Sequence, residues 1–123
     1  MSRPRLIPDE KHPITVTPTP GRVRVVSGDT VVAETSAGLT LREEGYPPVQ
    51  YVPISDIEPA VLKRSDTTSY CPFKGDASYY SVQTPDGTIQ DAGWTYEEPY
   101  DAVAHIRGYV AFYADNVTVA VGD

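Results

Sequence analysis

Tyr70-Cys71-Pro72-Phe73-Lys74-Gly75-Asp76-Ala77-Ser78-Tyr79-Tyr80 is the chemically densest stretch of the chain, with its only cysteine, a lysine and three tyrosines in eleven residues. Pro72 sets φ for a turn and Gly75 tolerates positive φ, so the window reads as strand, tight loop, strand. On either side, 67–71 and 77–83 are rich in Thr, Tyr and Val, residues that suit a pleated surface. The hairpin they predict would hold Cys71 and Lys74 close together at one end.

Working outward, the same pattern recurs. Arg22-Val23-Arg24-Val25 alternates polar and apolar, Ser27-Gly28-Asp29-Thr30 is a turn, and Val31-Val32-Ala33 resumes, which predicts a hairpin. Leu39-Thr40-Leu41-Arg42-Glu43 and Val49-Gln50-Tyr51-Val52 flank Gly45-Tyr46-Pro47-Pro48 and predict another. Pro85-Asp86-Gly87 turns into a strand over 88–96, in which Gly93 marks a bulge or a close backbone approach beside Trp94. Tyr109-Val110-Ala111-Phe112-Tyr113 and Val117-Thr118-Val119-Ala120-Val121, joined through Ala114-Asp115-Asn116, predict a last hairpin.

Two short helices are expected between these strands. Ser55-Asp56-Ile57-Glu58 has capping-box spacing, so one runs to about Arg64 with Ile57, Val61 and Leu62 inward. Pro99 opens the other, of about ten residues, with Val103 and Ile106 inward, Gly108 at its C-terminal cap and Glu97-Glu98 as an acidic first turn. Five prolines in the first twenty residues (Pro4, Pro8, Pro13, Pro18, Pro20) deny ladder hydrogen bonds, so 1–21 reads as a proline-rich N-terminal arm and 22–123 as a single mostly-β domain. Hairpins with brief connections imply a mostly β fold of two antiparallel sheets in a sandwich or tent, rather than a parallel α/β sheet.

The charge narrows the partners. With 17 acidic against 10 basic residues the formal charge is -7, which opposes binding to a phosphate backbone or an anionic membrane, so neither nucleic acid nor membrane is an expected partner. No window approaches the roughly 20 apolar residues of a membrane span, and no apolar run follows Arg3 and Arg5 as in a secretory signal, so the cytoplasm is the expected compartment. One cysteine excludes an internal disulfide, and with only His12 and His105 beside it no structural zinc is expected.

Tyr70-Cys71-Pro72-Phe73-Lys74-Gly75-x-Ala77-x-Tyr79-Tyr80 resembles the family called domain of unknown function 427, which also carries a nucleotidyltransferase label. Pro47-Pro48-Val49-x-Tyr51-x-Pro53-x-x-Asp56, Trp94-x-Tyr96-x-x-Pro99 and Gly108-Tyr109-Val110-Ala111-Phe112-Tyr113 resemble its other blocks in the same order, over about residues 22 to 119. The resemblance implies a β-tent-like architecture, two antiparallel sheets meeting at an angle, related to folds that often carry zinc. It implies no activity.

Three kinds of function fit these residues. In an enzyme, Cys71 is the candidate nucleophile and Lys74, across a turn, places a positive charge near it; a lone cysteine among apolar neighbours is more often a small buried hydrophobe. Nucleotidyl transfer needs metal-binding carboxylates or an attacking lysine with a phosphate cradle, and Lys74-Gly75-Asp76 only partly echoes a Lys-x-Asp-Gly motif, because Ala77 stands where glycine belongs. A binding module would use a cleft beside the 71–75 loop, walled by Arg42, Tyr51, Cys71, Lys74, Gly75, Tyr80 and Trp94. There Arg42 and Lys74 recognise charge, the aromatic rings stack on a small polar or aromatic ligand, and Gly75 admits it to the backbone. Tyr79 and Tyr80 face opposite sides of one strand, so only one can line that cleft, and Tyr80 is the one expected. The third kind, a protein-interaction domain using a sheet edge and the proline-rich arm, fits the same sequence.

Overall fold

A computed structural model describes residues 6–114 and 117–122. Among the described residues there are ten strands: β1 (Ile14–Pro18), β2 (Arg22–Ser27), β3 (Thr30–Thr35), β4 (Leu39–Glu43), β5 (Val49–Pro53), β6 (Leu62–Cys71), β7 (Gly75–Thr84), β8 (Gly87–Thr95), β9 (Tyr109–Phe112) and β10 (Thr118–Gly122). They pair antiparallel throughout into a seven-stranded sheet, β1-β4-β5-β9-β8-β7-β6, and a three-stranded sheet, β10-β2-β3. The fold is thus mostly β with two antiparallel sheets.

Local chemistry sets the turns. Ser27 pairs with Thr30 around Gly28, at φ +57°, and Thr84 pairs with Gly87, at φ +131°, so both hairpins close through two residues. Cys71 pairs with Gly75, at φ +110°, and the Lys74 amide donates to the Cys71 carbonyl at 3.2 Å. The hairpins expected over 22–33, 39–52 and 67–83 form as β2 with β3, β4 with β5, and β6 with β7.

The last expected hairpin does not form. β9 inserts between β5 and β8 in the large sheet, whereas β10 crosses to the small sheet and pairs with β2. Of its proposed turn, Asp115 and Asn116 lie outside the described residues. Ile14–Pro18, in the proline-rich first twenty residues, is a strand at the edge of the large sheet against β4.

Neither expected helix is α-helical. Over 54–61 there are two 3-10 turns, Ile54–Asp56 and Pro59–Val61, because Pro59 excludes the α conformation at Glu58 (ψ 112°), and Ile57 is extended and bridges to Ala33. Ile57 and Val61 still point inward, while Leu62 begins β6. The segment after Pro99 is a 3-10 helix, Asp101–Ile106, kinked at Val103 (φ -127°). Val103 and Ile106 are fully buried, and Gly108 takes φ +80°. Glu97 and Glu98 therefore precede the helix rather than form its first turn, and Asp101 is the acid there.

Alternation, interrupted in β8 by a bulge, gives the large sheet two apolar faces. Val52, Val82, Ala92, Val110 and Phe112 point at the small sheet and pack with Val23, Val25, Val32 and Val117. Tyr51, Ala77, Tyr96 and Ala111 point the other way and pack with Leu41, Val103 and Ile106. That second face carries the cleft described next. Gly93 is the close approach that its position suggested: a Cβ there would lie 2.9 Å from the Ala111 carbonyl oxygen and 3.1 Å from the Phe112 ring. The bulge falls earlier in β8, between the pairs of Tyr80 with Gly93 and of Val82 with Ile89, where Asp91 has φ +51°.

Candidate functional site

Register brings four side chains of the second face into one row. Tyr51 on β5 lies opposite Ala111 on β9, Ala111 opposite Trp94 on β8, and Trp94 opposite Tyr79 on β7. Adjacent strands are about 4.8 Å apart, so the methyl group of Ala111 leaves a gap into which its two large neighbours lean. Trp94 Nε1 donates to the Tyr51 hydroxyl at 3.2 Å, and the rings meet edge-on with centroids 6.4 Å apart. Tyr113 covers the indole, its ring centroid 4.5 Å away.

Around this row is a cleft of about 310 Å³. Leu41, Val49, Tyr96 and the rings already named form its wall, Tyr46 and Pro47 of the β4–β5 loop stand at one side, and Cys71, Lys74 and Glu43 supply its polar groups. Lys74 is only 8% exposed. Its ammonium donates to Glu43 Oε1 at 2.5 Å and approaches Cys71 Sγ at 3.7 Å. The second Glu43 oxygen meets His12 Nε2 at 2.8 Å, and the imidazole is stacked on Phe73 at 4.2 Å.

The segment that carries His12 is held by its backbone. Leu6 N donates to the Pro72 carbonyl at 2.9 Å, and Glu44 N donates to the Pro13 carbonyl at 3.1 Å. His12 is therefore half-buried against the central turn, whereas His105 is exposed.

The electrostatics follow from burial and partners. Burial alone would raise the Glu43 carboxyl, but hydrogen bonds and charge from Lys74 and His12 outweigh it and hold the group below the usual carboxylate range. Burial pushes the phenols of Tyr51 and Tyr96 well above their ordinary value. Tyr113 is pushed up to about 12, first by burial and then by the Tyr79 hydroxyl.

Of the residues expected from sequence, Tyr51, Cys71, Lys74 and Trp94 come together in the cleft. Three do not. Arg42 is exposed on the other face of β4 from Leu41 and Glu43, in a surface hollow with Pro13 and Thr15. Gly75 faces away, since a Cβ there would meet the Glu98 carbonyl oxygen at 3.4 Å and the Tyr100 ring at 3.9 Å. Tyr80 packs towards the small sheet beneath the Arg64 guanidinium, 5.8 Å from its ring centroid, and Tyr79 lines the cleft instead.

The register explains that exchange. Residues directly opposite share a face, and Ala77 lies opposite Ser69, two residues before Cys71, so Ala77 and Tyr79 fall on the cysteine's side by steps of two. Glu43, which the sequence reading passed over, sits two residues beyond Leu41 on the same face, and that period was the available signal. Nothing in the sequence near His12 pointed to the cleft. Asp76 lies with Ser78, Glu97, Glu98 and Tyr100 around a separate acidic hollow, so Lys74 and Asp76 diverge. Among the described residues no group of three or more His, Cys, Asp or Glu side chains can hold a metal ion.

Residues 15–123 match the family model described as Domain of unknown function (DUF427). No curated protein matches the chain.

Proposed function

Because the chain belongs to the DUF427 family, a domain of unknown function, its role is argued from its own residues, and we propose that it binds a small polar or aromatic ligand in the cleft beside the 71–75 turn. The observation that carries this reading is the setting of Lys74: a nearly buried ammonium at one side of a hollow whose other walls are aromatic rings. Pockets for small molecules combine mainly apolar and aromatic walls with a few fixed polar groups. The 310 Å³ of the cleft admits a compound of one or two rings. In this reading Trp94, Tyr51, Tyr79 and Tyr113 supply contact area, and Lys74 fixes orientation.

A thermal-shift screen of a metabolite library tests it. A ligand at 100 times its dissociation constant stabilises a domain by roughly 2.7 kcal/mol, and the shift is expected to shrink in Tyr79→Ala and Lys74→Met but to persist in Arg42→Ala. Silence across the library, or shifts indifferent to Tyr79 and Lys74, would reject the cleft as the site.

The 3.7 Å approach of Lys74 Nζ to Cys71 Sγ favours a second reading, nucleophilic chemistry at the thiol. Iodoacetamide labelling across pH decides it: a nucleophile is alkylated well below the ordinary thiol pKa of about 8.5, and a packed thiol resists until the chain unfolds.

A further inference from the structure

The proposed ligand site has a charge balance that restricts what it takes. Among the described residues lining the cleft, Lys74 and Glu43 are the only charged pair, and each is committed to the other. Their side chains are 10% and 11% exposed, so the pair is shielded from solvent. A phosphate or carboxylate entering here must take the Lys74 ammonium from Glu43, which leaves a nearly buried carboxylate facing a second anion. His12, on the other Glu43 oxygen, does not reach into the cleft, and Arg42 lies on the opposite face of β4. Asp91 acts electrostatically on Tyr113 at the mouth, adding negative rather than positive potential.

The other lining groups suit a neutral ring. Tyr51, Tyr79, Trp94, Tyr96 and Tyr113 offer faces and edges for stacking. The Tyr79 hydroxyl, shared with Ser69 Oγ at 2.8 Å, the Tyr113 hydroxyl beside it and the third N–H of a Lys74 ammonium already held by Glu43 and Cys71 offer hydrogen bonds without net charge. We propose that the cleft selects uncharged planar heteroaromatic compounds of one or two rings and discriminates against their phosphorylated or carboxylated counterparts. This inference rests on the cleft being the ligand site. It also assigns Glu43 a role in specificity, as the group that withholds the Lys74 charge from anions.

Trp94 is the only tryptophan of the chain, so its emission reports on the cleft directly. Two matched series keep the ring constant and change the charge: nicotinamide against nicotinate, and adenosine against AMP and ATP, the last with and without magnesium. The neutral member of each series is expected to quench Trp94 with at least about tenfold higher affinity than its anions, a difference of about 1.4 kcal/mol. Its affinity should change little between about 0.05 and 0.5 M salt. Glu43→Gln frees the ammonium and is expected to narrow or reverse the preference, which loss of structure alone would not do. Tighter binding of ATP than of adenosine by the unaltered protein, or affinity that falls steeply with salt, would overturn the charge selectivity and leave the cleft reading standing. If none of these compounds alters Trp94 emission at millimolar concentration, the proposed class is wrong, and the thermal-shift screen separately decides whether the cleft reading falls with it.

Discussion

Glu43 holds the polar corner of the cleft together, because its two oxygens bind groups from two other parts of the chain, Lys74 of the central turn and His12 of the N-terminal segment. Its carboxyl is held below the ordinary value of 4.5. In acid the unfolded chain therefore takes up a proton more readily than the folded one, so this contribution is complete above the ordinary value and is lost as pH falls through the folded one. Glu43→Gln is expected to cost roughly 2 kcal/mol in urea unfolding at neutral pH, with the gap to the unaltered protein narrowing by about pH 3. An equal gap at both pH values would show that the charge contributes nothing. Glu43 was hard to find in the sequence because it ends an alternating strand as an ordinary surface acid would; only its fold-level partners, 31 residues away in each direction, distinguish it. Cys71 and Lys74 were easier, since a three-residue turn keeps them together whatever the rest of the chain does.

Among the elements, the β6–β7 hairpin and β8 both make strict demands on backbone. Gly75 has φ +110° and lies against the Glu98 carbonyl, and Gly93 lies against the Ala111 carbonyl and the Phe112 ring. Gly75→Ala and Gly93→Ala are each expected to lower stability by about 1 to 3 kcal/mol, the first by backbone strain and the second by overpacking. Denaturant midpoints check both, and a neutral Gly93→Ala would contradict the tight contact of β8 with β9. Hairpins were legible because alternation and turn residues are local signals. The two short helices are 3-10 rather than α, the first for an equally local reason: despite the capping-box spacing at 55–58, Pro59 keeps Glu58 out of the α conformation.

Across the whole molecule, one sheet serves two cores. Alternate residues of β5 and β9 divide between the packed interior facing the small sheet and the aromatic face bearing the cleft, and the bulge in β8 lets Ala92 and Trp94 do the same. The sequence displayed that alternation but not which sheet each strand joins; β9 and β10 resemble a hairpin locally and are parted by pairings with β5, β8 and β2, far away in the chain. The N-terminal segment closes the arrangement by meeting the central turn at Pro72 and Phe73 and the end of β4 at Glu43. Deleting residues 1–12 is expected to lower Tm by roughly 4 °C, equivalent to about 1 kcal/mol, while far-ultraviolet circular dichroism stays unchanged. An unaltered Tm would mean that these contacts add no stability.

The proposed site is tested most directly by chemical-shift mapping on the nitrogen-15-labelled protein, titrated with a compound that raises its Tm. The largest changes are predicted at the Trp94 indole N–H and the backbone amides of Lys74, Tyr79 and Tyr113. Changes confined to the hollow of Asp76, Glu97, Glu98 and Tyr100, or to the hairpin of β2 and β3, would place the ligand elsewhere and contradict the cleft.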